Sequence, residues 1–444
     1  MPFYSYFDEP ENYRDPFGFY EQGGSPSLLQ EFINTIEKDK NNIEEINISW
    51  YLFNNQYLYN YLKEVAAIGI KVNVITIPLE GYDNNNPKAL KNLETETKTE
   101  ERFTKYNLAR KIFGETYRST SHKNFNLYIF SHLYVRSANI KKFSRGTLPY
   151  SLHIKSAYIK KKNGYLVLMS SSNLAVRDLV KYESMISIEN EPGYEETAKA
   201  FYKNLIENSI PIKAYKSSLN TTCNMFEKVA YKFSGSMYIS APFYENSANN
   251  LEKKLLKHIA SATHRIIICA QHLAAFNYDF NANHHSTIDK NEIRQGILGM
   301  ILKIANNGVR VTCLSQTFAP LPNNENKFKN AKFRKPVNTR NFQKFYGQLQ
   351  QTDNIEYYVN NNFHSKYIII DHMLIFCSYN FTPTQFIYLD NVKIDKFKNM
   401  SNVSYTGIHC EVGIHAIIKD PAMVTAFENN AMDIIRKKNT IQVK

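Results

Sequence analysis

The chain has 444 residues, 43% of them apolar and 14% aromatic, enough for more than one buried core and far too apolar for an intrinsically disordered chain. No apolar run approaches the roughly 18 residues of a membrane-crossing helix, the first twenty residues lack the basic-then-apolar order of a secretory signal, and five scattered cysteines fit neither a disulfide framework nor a paired-cysteine zinc site. An excess of 54 basic over 41 acidic residues, net +13, points to a polyanionic partner, nucleic acid before a membrane surface, and the reducing cytoplasm is the compartment expected.

Residues 1–26 read as an N-terminal extension. Leu28, Leu29, Phe32, Ile33 and Ile36 then recur at helical spacing, and alternation through Ile46, Ile48 and Trp50 predicts a strand. Residues 57–78 repeat that order: a helix ends at Gly69, where a left-handed cap is expected, and a strand runs through Val72, Val74 and Ile75. After a basic, aromatic-dotted stretch over 81–125 comes a strand with His153 and Lys155. An Asn-Gly turn at 163–164, an apolar strand ending in Ser171-Ser172-Asn173, the segment at Glu183 and a helix over Glu195–Ile206 complete the unit.

Beyond a linker at 216–248 the same order returns. A helix ends at Gly308, a strand runs from Val309 to Leu314, and a second basic, aromatic insertion fills 320–350. A strand with His364 and Lys366 follows, then an apolar strand ending in Ser378-Tyr379-Asn380, the segment at Glu411, and a helix over Met423–Ile435. The chain therefore reads as two diverged copies of one unit, over 27–215 and 249–444, and the alternation of strands with helices predicts an α/β sandwich with largely parallel sheets.

The chemistry lies in the histidine strands. Residues two apart share a strand face, so His153 and Lys155 point one way, as do His364 and Lys366. These residue types suit phosphodiester cleavage without a metal. One imidazole attacks phosphorus and a second protonates the leaving oxygen, while two lysines and Ser/Asn side chains hold the non-bridging oxygens. Each copy has one such histidine, so the chemistry needs the two copies face to face.

His364-Ser-Lys366-Tyr-Ile-Ile-Ile-Asp371, with Ser378 and Asn380 downstream, resembles the repeated His-x-Lys-x4-Asp motif of the phospholipase D superfamily. The resemblance implies two α-β-α sandwich halves related by a pseudo-twofold axis, with one active site at their interface and no cofactor or metal. It implies that His153 is the nucleophile that becomes a phosphohistidine and His364 the general acid. Lys155, Lys366, Asn173 and Asn380 would hold the phosphate, with Ser171 and Ser378 assisting, Glu183 and Glu411 orienting the imidazoles, and Asp371 completing the motif as one of the catalytic residues. The first copy departs in one place: Lys160 stands where the motif has aspartate. Alternation puts that position on the face opposite His153 and Lys155, and tyrosyl-DNA phosphodiesterases share the departure.

The expected activity is that of a metal-independent nuclease on DNA or RNA, in a restriction or defence setting with a helicase-type partner, by analogy with relatives. The alternatives are a phospholipase D or phosphatidyltransferase acting on lipid, and a non-catalytic nucleic-acid-binding subunit. Lys327, Lys329, Lys332, Arg334, Lys335 and Arg340, interleaved with aromatics, are the candidate substrate-binding residues of the second insertion. His284 and His285 read as a solvated Asn-rich loop rather than a metal site, and His409 and His415 as lining a strand beside the site.

Overall fold

Helical spacing and alternation resolve into elements largely where the sequence puts them. The computed structural model describes residues 2–10, 27–79, 100–119, 123–132, 152–174, 181–215, 229–230, 234–245, 247–271, 273, 297–316, 347–381, 389–390, 407–408 and 411–444. The first half contains β1 (Phe3–Asp8), α1 (Ser27–Glu37), β2 (Ile43–Trp50), α2 (Gln56–Ala67), β3 (Lys71–Thr76), α3 (Glu100–Arg118), β4 (Phe125–Ile129), β5 (Lys155–Lys161), β6 (Gly164–Ser170), β7 (Glu183–Glu189), α4 (Glu195–Glu207) and β8 (Ile210–Pro211). The second contains β9 (Met237–Ser240), α5 (Ser247–Ala260), β10 (Arg265–Ala270), α6 (Ile297–Asn306), β11 (Arg310–Ser315), β12 (Ile355–Asn360), β13 (Tyr367–Ile370) and β14 (Met373–Cys377). It ends with the short pair β15 (Leu389–Asp390) and β16 (Gly407–Ile408), then β17 (Gly413–Ile418), α7 (Pro421–Arg436) and β18 (Thr440–Gln442).

Local chemistry sets the helix ends. The five apolar residues of α1 named above are all buried, as one stripe of an amphipathic helix should be. Asn55 caps α2 through Leu58 N, and Asp420 caps α7 through Met423 N ahead of Pro421. Gly69 and Gly308 have φ of +102° and +94°, the left-handed conformation expected of each from the sequence.

The duplication is complete at the level of topology. One eight-stranded sheet runs β1-β7-β6-β5-β2-β3-β4-β8 and the other β9-β17-β14-β13-β10-β11-β12-β18, strand for strand equivalent. Only β2-β3-β4 and β10-β11-β12 are parallel; every other pairing in the two sheets is antiparallel. The expectation of largely parallel sheets is corrected accordingly. Short turns join β5 to β6 and β13 to β14, and a tight connection cannot return a strand in parallel.

Two segments read as extension and linker contribute strands. β1 covers the edge of β7, and β9 covers the edge of β17, so neither inner strand is left as an open edge. β1 also reaches the other half: Phe7 packs edge-on against Phe427 of α7 with centroids 4.9 Å apart, and Lys437 pairs with Glu9 at 3.1 Å. The main hydrophobic cluster runs without a break from Ile46, Ile48 and Leu152 in one half to Phe363, Val412 and Phe427 in the other. No helix among the described residues is long and apolar enough to cross a membrane. Cys269, Cys313 and Cys377 are buried free thiols.

Candidate active site

Each histidine sits where a loop enters a hairpin strand, and the apolar residues that follow anchor it. His153 is followed by buried Lys155 at the head of β5; His364 is followed by buried Lys366 just ahead of β13. The neighbouring residues stitch the halves together along two equivalent seams. Leu152 bridges Val412, and Tyr182 bridges Phe363. The Tyr182 carbonyl accepts from His364 N at 3.0 Å and Ser365 N at 3.1 Å, and Ser184 Oγ donates to Ser365 Oγ at 3.0 Å.

These seams exchange the acidic partners. Glu411, of the second half, stands 3.4 Å from Nδ1 of His153, and Glu183, of the first half, stands 2.5 Å from Nδ1 of His364. The sequence expectation had the glutamates orienting the imidazoles but could not say whose. Each carboxylate reaches the ring of the opposite half, so neither half holds a complete histidine–glutamate pair. The pairs are also unequal. The His364 and Glu183 side chains are 6% and 1% exposed, those of His153 and Glu411 21% and 7%.

Both lysines are fully buried. Lys366 Nζ donates to the His364 carbonyl at 2.5 Å and lies 3.5 Å from Nδ1 of the same ring. A buried ammonium group is costly unless anions or acceptors face it. Ser171 donates to Glu183 Oε2 at 2.5 Å and accepts from Ser184 N at 2.9 Å; Ser378 accepts from Ile414 N at 3.0 Å. The serines thereby tie the Ser-x-Asn turns to the adjoining strands, β7 and β17, which sets where Asn173 and Asn380 stand. Asn380 is buried at 8% exposure, and Asn173 is partly exposed.

Asp371 does not join this site. Seven residues past His364 along an extended segment, it lies about 20 Å away, with φ of +50°, a conformation aspartate tolerates. Its carboxylate accepts from Thr263 N, Thr263 Oγ1, His264 N and Arg265 N, each at 2.9 Å, in the turn between α5 and β10. Burial alone pushes this carboxyl up, but the backbone donors of Arg265, Thr263 and His264 and the Thr263 hydroxyl outweigh it and bring it down to about 2. The catalytic role assigned from the motif is therefore corrected to a structural one. In the first half Lys160 pairs with Glu44 at 2.6 Å, while its neighbour Lys161 holds Asp39 of the α1–β2 turn at 2.7 Å and also bonds Glu189. The same turn is pinned with the opposite sign of charge, which explains how the first copy lacks the aspartate.

His415, on β17, is fully buried and its Nδ1 lies 2.7 Å from the hydroxyl of Tyr379, the middle residue of Ser378-Tyr379-Asn380. Burial first and the nearby His258 second push the imidazole down to about 3, so it stays neutral and supports that turn. Two contacts went unread in the sequence. Tyr51, just past β2, lies edge-on to His153 with centroids 5.1 Å apart, and Lys155 Nζ stands 5.7 Å from the centre of its ring. Its place at the carboxyl end of a central strand, where α/β folds bind ligands, was the available signal. Among the described residues no group of three or more His, Cys, Asp or Glu side chains could hold a metal ion. Lys327, Lys329, Lys332, Arg334, Lys335 and Arg340, and with them His284, His285 and His409, lie outside the described residues.

Residues 255–395 match the family model described as the phospholipase D-like domain of cardiolipin synthase. No curated protein matches the chain. Among solved structures, phosphatidylserine synthase from Haemophilus influenzae Rd KW20 is 14% identical with a TM-score of 0.46, covering 93% of this chain and 86% of its own. Polyphosphate kinase from Porphyromonas gingivalis is 10% identical with a TM-score of 0.44, over 89% of this chain but 46% of the kinase, so the present chain spans under half of that protein. NucT from Helicobacter pylori is 16% identical with a TM-score of 0.27, covering 47% of this chain and 98% of its own.

Proposed function

We propose that this chain, a member of the phospholipase D superfamily, is a phosphodiesterase whose substrate is nucleic acid, working through a phosphohistidine and needing no metal. The observation that carries the reading is the crossed pairing of His153 with Glu411 and His364 with Glu183 beside two buried lysines. A carboxylate at Nδ1 of each ring fixes the tautomer and orientation so that Nε2 is the reacting nitrogen.

In the proposed sequence His153 Nε2 attacks phosphorus while the P–O bond to the leaving group breaks, and protonated His364 gives that oxygen its proton. Neutral His364 then takes a proton from water, whose oxygen attacks the phosphohistidine; the P–N bond breaks and His153 is regenerated. Lys155, Lys366, Asn173 and Asn380 face the non-bridging oxygens as charge shifts onto them. The greater exposure of His153 suits the ring that must reach phosphorus. The close, buried Glu183 suits the ring that must hold and release a proton. The net charge of +13 and the basic, aromatic insertions favour a nucleic-acid substrate over lipid.

The test is a digestion of labelled single- and double-stranded DNA and RNA in EDTA, with phosphatidylglycerol vesicles as a second arm because the matched family model is named for cardiolipin synthase. Cleavage that persists in EDTA, falls at least a thousandfold in His153→Ala and His364→Ala, and leaves a phosphoenzyme on His153 is the expected result. Full activity in either variant would refute the mechanism, and turnover of lipid alone would replace the substrate.

A further inference from the structure

The β2–α2 connection makes two contacts that the chemistry above does not use. Tyr51 and His153 form a T-shaped pair, with ring planes at 80°, and the Lys155 ammonium lies over the Tyr51 ring. Thr76 on β3 accepts from Phe53 N at 3.1 Å and donates to the Tyr51 carbonyl at 3.4 Å, which fixes the connection to the sheet. Asn55, 2% exposed, accepts from Leu58 N with Oδ1 and donates Nδ2 to the Leu174 carbonyl at 2.7 Å.

Leu174 directly follows Asn173 and is fully buried with φ of +54°, a left-handed conformation that a residue with a branched side chain rarely adopts. Such a conformation persists only where its surroundings hold it. Here the Leu174 N–H donates to Ser172 Oγ at 2.9 Å while Asn55 holds the carbonyl, so both sides of the residue are fixed. The second half makes the tie in another form: Gln271 follows β10 where Tyr51 follows β2, and backbone pairing of Leu273 with Phe381, the residue after Asn380, replaces the Asn55 side chain, with no positive φ at Phe381.

We propose that residues 51–55 are a positioning brace for the first half of the site: Tyr51 sets the plane of His153 and the place of Lys155, and Asn55 sets Asn173 through Leu174. Neither residue reacts; both act through residues that do. The kinetic consequence rests on the phosphodiesterase reading, whereas the geometry does not.

Three variants of the full chain isolate the effect. Asn55→Asp keeps the oxygen that caps α2 and loses the donor to Leu174; Tyr51→Leu removes the ring; Tyr51→Phe keeps it. Two readouts are taken: kcat and KM on whichever substrate the digestion panel identifies, and binding of inorganic phosphate by calorimetry. The brace requires Asn55→Asp and Tyr51→Leu to lower kcat about tenfold or more with a smaller change in KM. It also requires them to weaken phosphate about fivefold at a temperature where circular dichroism shows each variant folded, with Tyr51→Phe close to wild type. Wild-type phosphate affinity in Asn55→Asp, or a loss in Tyr51→Phe equal to that in Tyr51→Leu, would overturn it. A wild type that binds phosphate in an Asn55-dependent way yet cleaves no phosphodiester would overturn the catalytic reading and leave the brace standing.

Discussion

Replacing Glu183 by glutamine should cost more activity than replacing Glu411, although the two occupy equivalent positions in the repeat. Each substitution keeps size and hydrogen bonding near its imidazole and removes one negative charge. At an effective dielectric of about 20, Coulomb attraction to an imidazolium is ~6–7 kcal/mol at the 2.5 Å of Glu183 to His364, against ~5 kcal/mol at the 3.4 Å of Glu411 to His153. Desolvation of the carboxylate offsets part of both values, and the greater exposure of His153 screens its pair further. The difference that survives is on the order of 1–2 kcal/mol, or roughly five- to thirtyfold in rate. Both losses should appear in kcat rather than KM, because the imidazolium is charged only at particular points of the turnover. The assay is steady-state cleavage of a labelled phosphodiester by wild type, Glu183→Gln, Glu411→Gln and the double variant. The double variant matters because in the proposed chemistry the two glutamates serve rings that act together in one step, so their losses should combine to less than the product. Wild-type kcat in Glu183→Gln, or a greater loss in Glu411→Gln, would refute the crossed-pair argument.

Asp371→Ala should leave kcat per folded molecule within about twofold of wild type while lowering stability by roughly 2–3 kcal/mol, as four hydrogen bonds to the α5–β10 turn are lost. Urea denaturation beside the cleavage assay checks both, and a thousandfold loss of kcat would restore the aspartate to the chemistry. The carboxyl of Asp371 lies at about 2 in the folded chain against an ordinary 3.8, so its contribution is present above about pH 4 and is lost as pH falls toward 2. Solvent screening of this partly exposed carboxyl reduces the effect, so wild type should lose on the order of 1 kcal/mol over that window that Asp371→Ala does not lose; parallel curves would refute the assignment. Phe7→Ala should cost roughly 2–3 kcal/mol and open the first strand to proteolysis, since Phe7 is packed on Phe427 of the other half. Unchanged melting and proteolysis would show that β1 does not tie the halves.

What the sequence revealed and what it hid divide along the distance over which each feature is specified. Helices that end at Gly69 and Gly308, the strand that carries Val72 and Val74, and the polar ends of the histidine strands are written within a dozen residues, and periodicity suffices to read them. β1 and β9 escaped because a short edge strand such as FYSYFD has no strict alternation, and only its pairing with β7 defines it as a strand. The exchange of Glu183 and Glu411 escaped for a stronger reason: 181 residues separate Glu183 from His364, and no local pattern reports which half a carboxylate will face. Asp371 shows the opposite error, a letter legible in a motif whose task was not. Its task is to hold the turn ahead of the central strand, and in the first half Lys161 does this by gripping Asp39. The family match spans residues 255–395, in the half that has the aspartate. The first half nevertheless keeps His153, Lys155 and Asn173, along with the glutamate that completes the other half's histidine. Because each half supplies the carboxylate beside the other's histidine, the first half contributes as much to the paired geometry as the second.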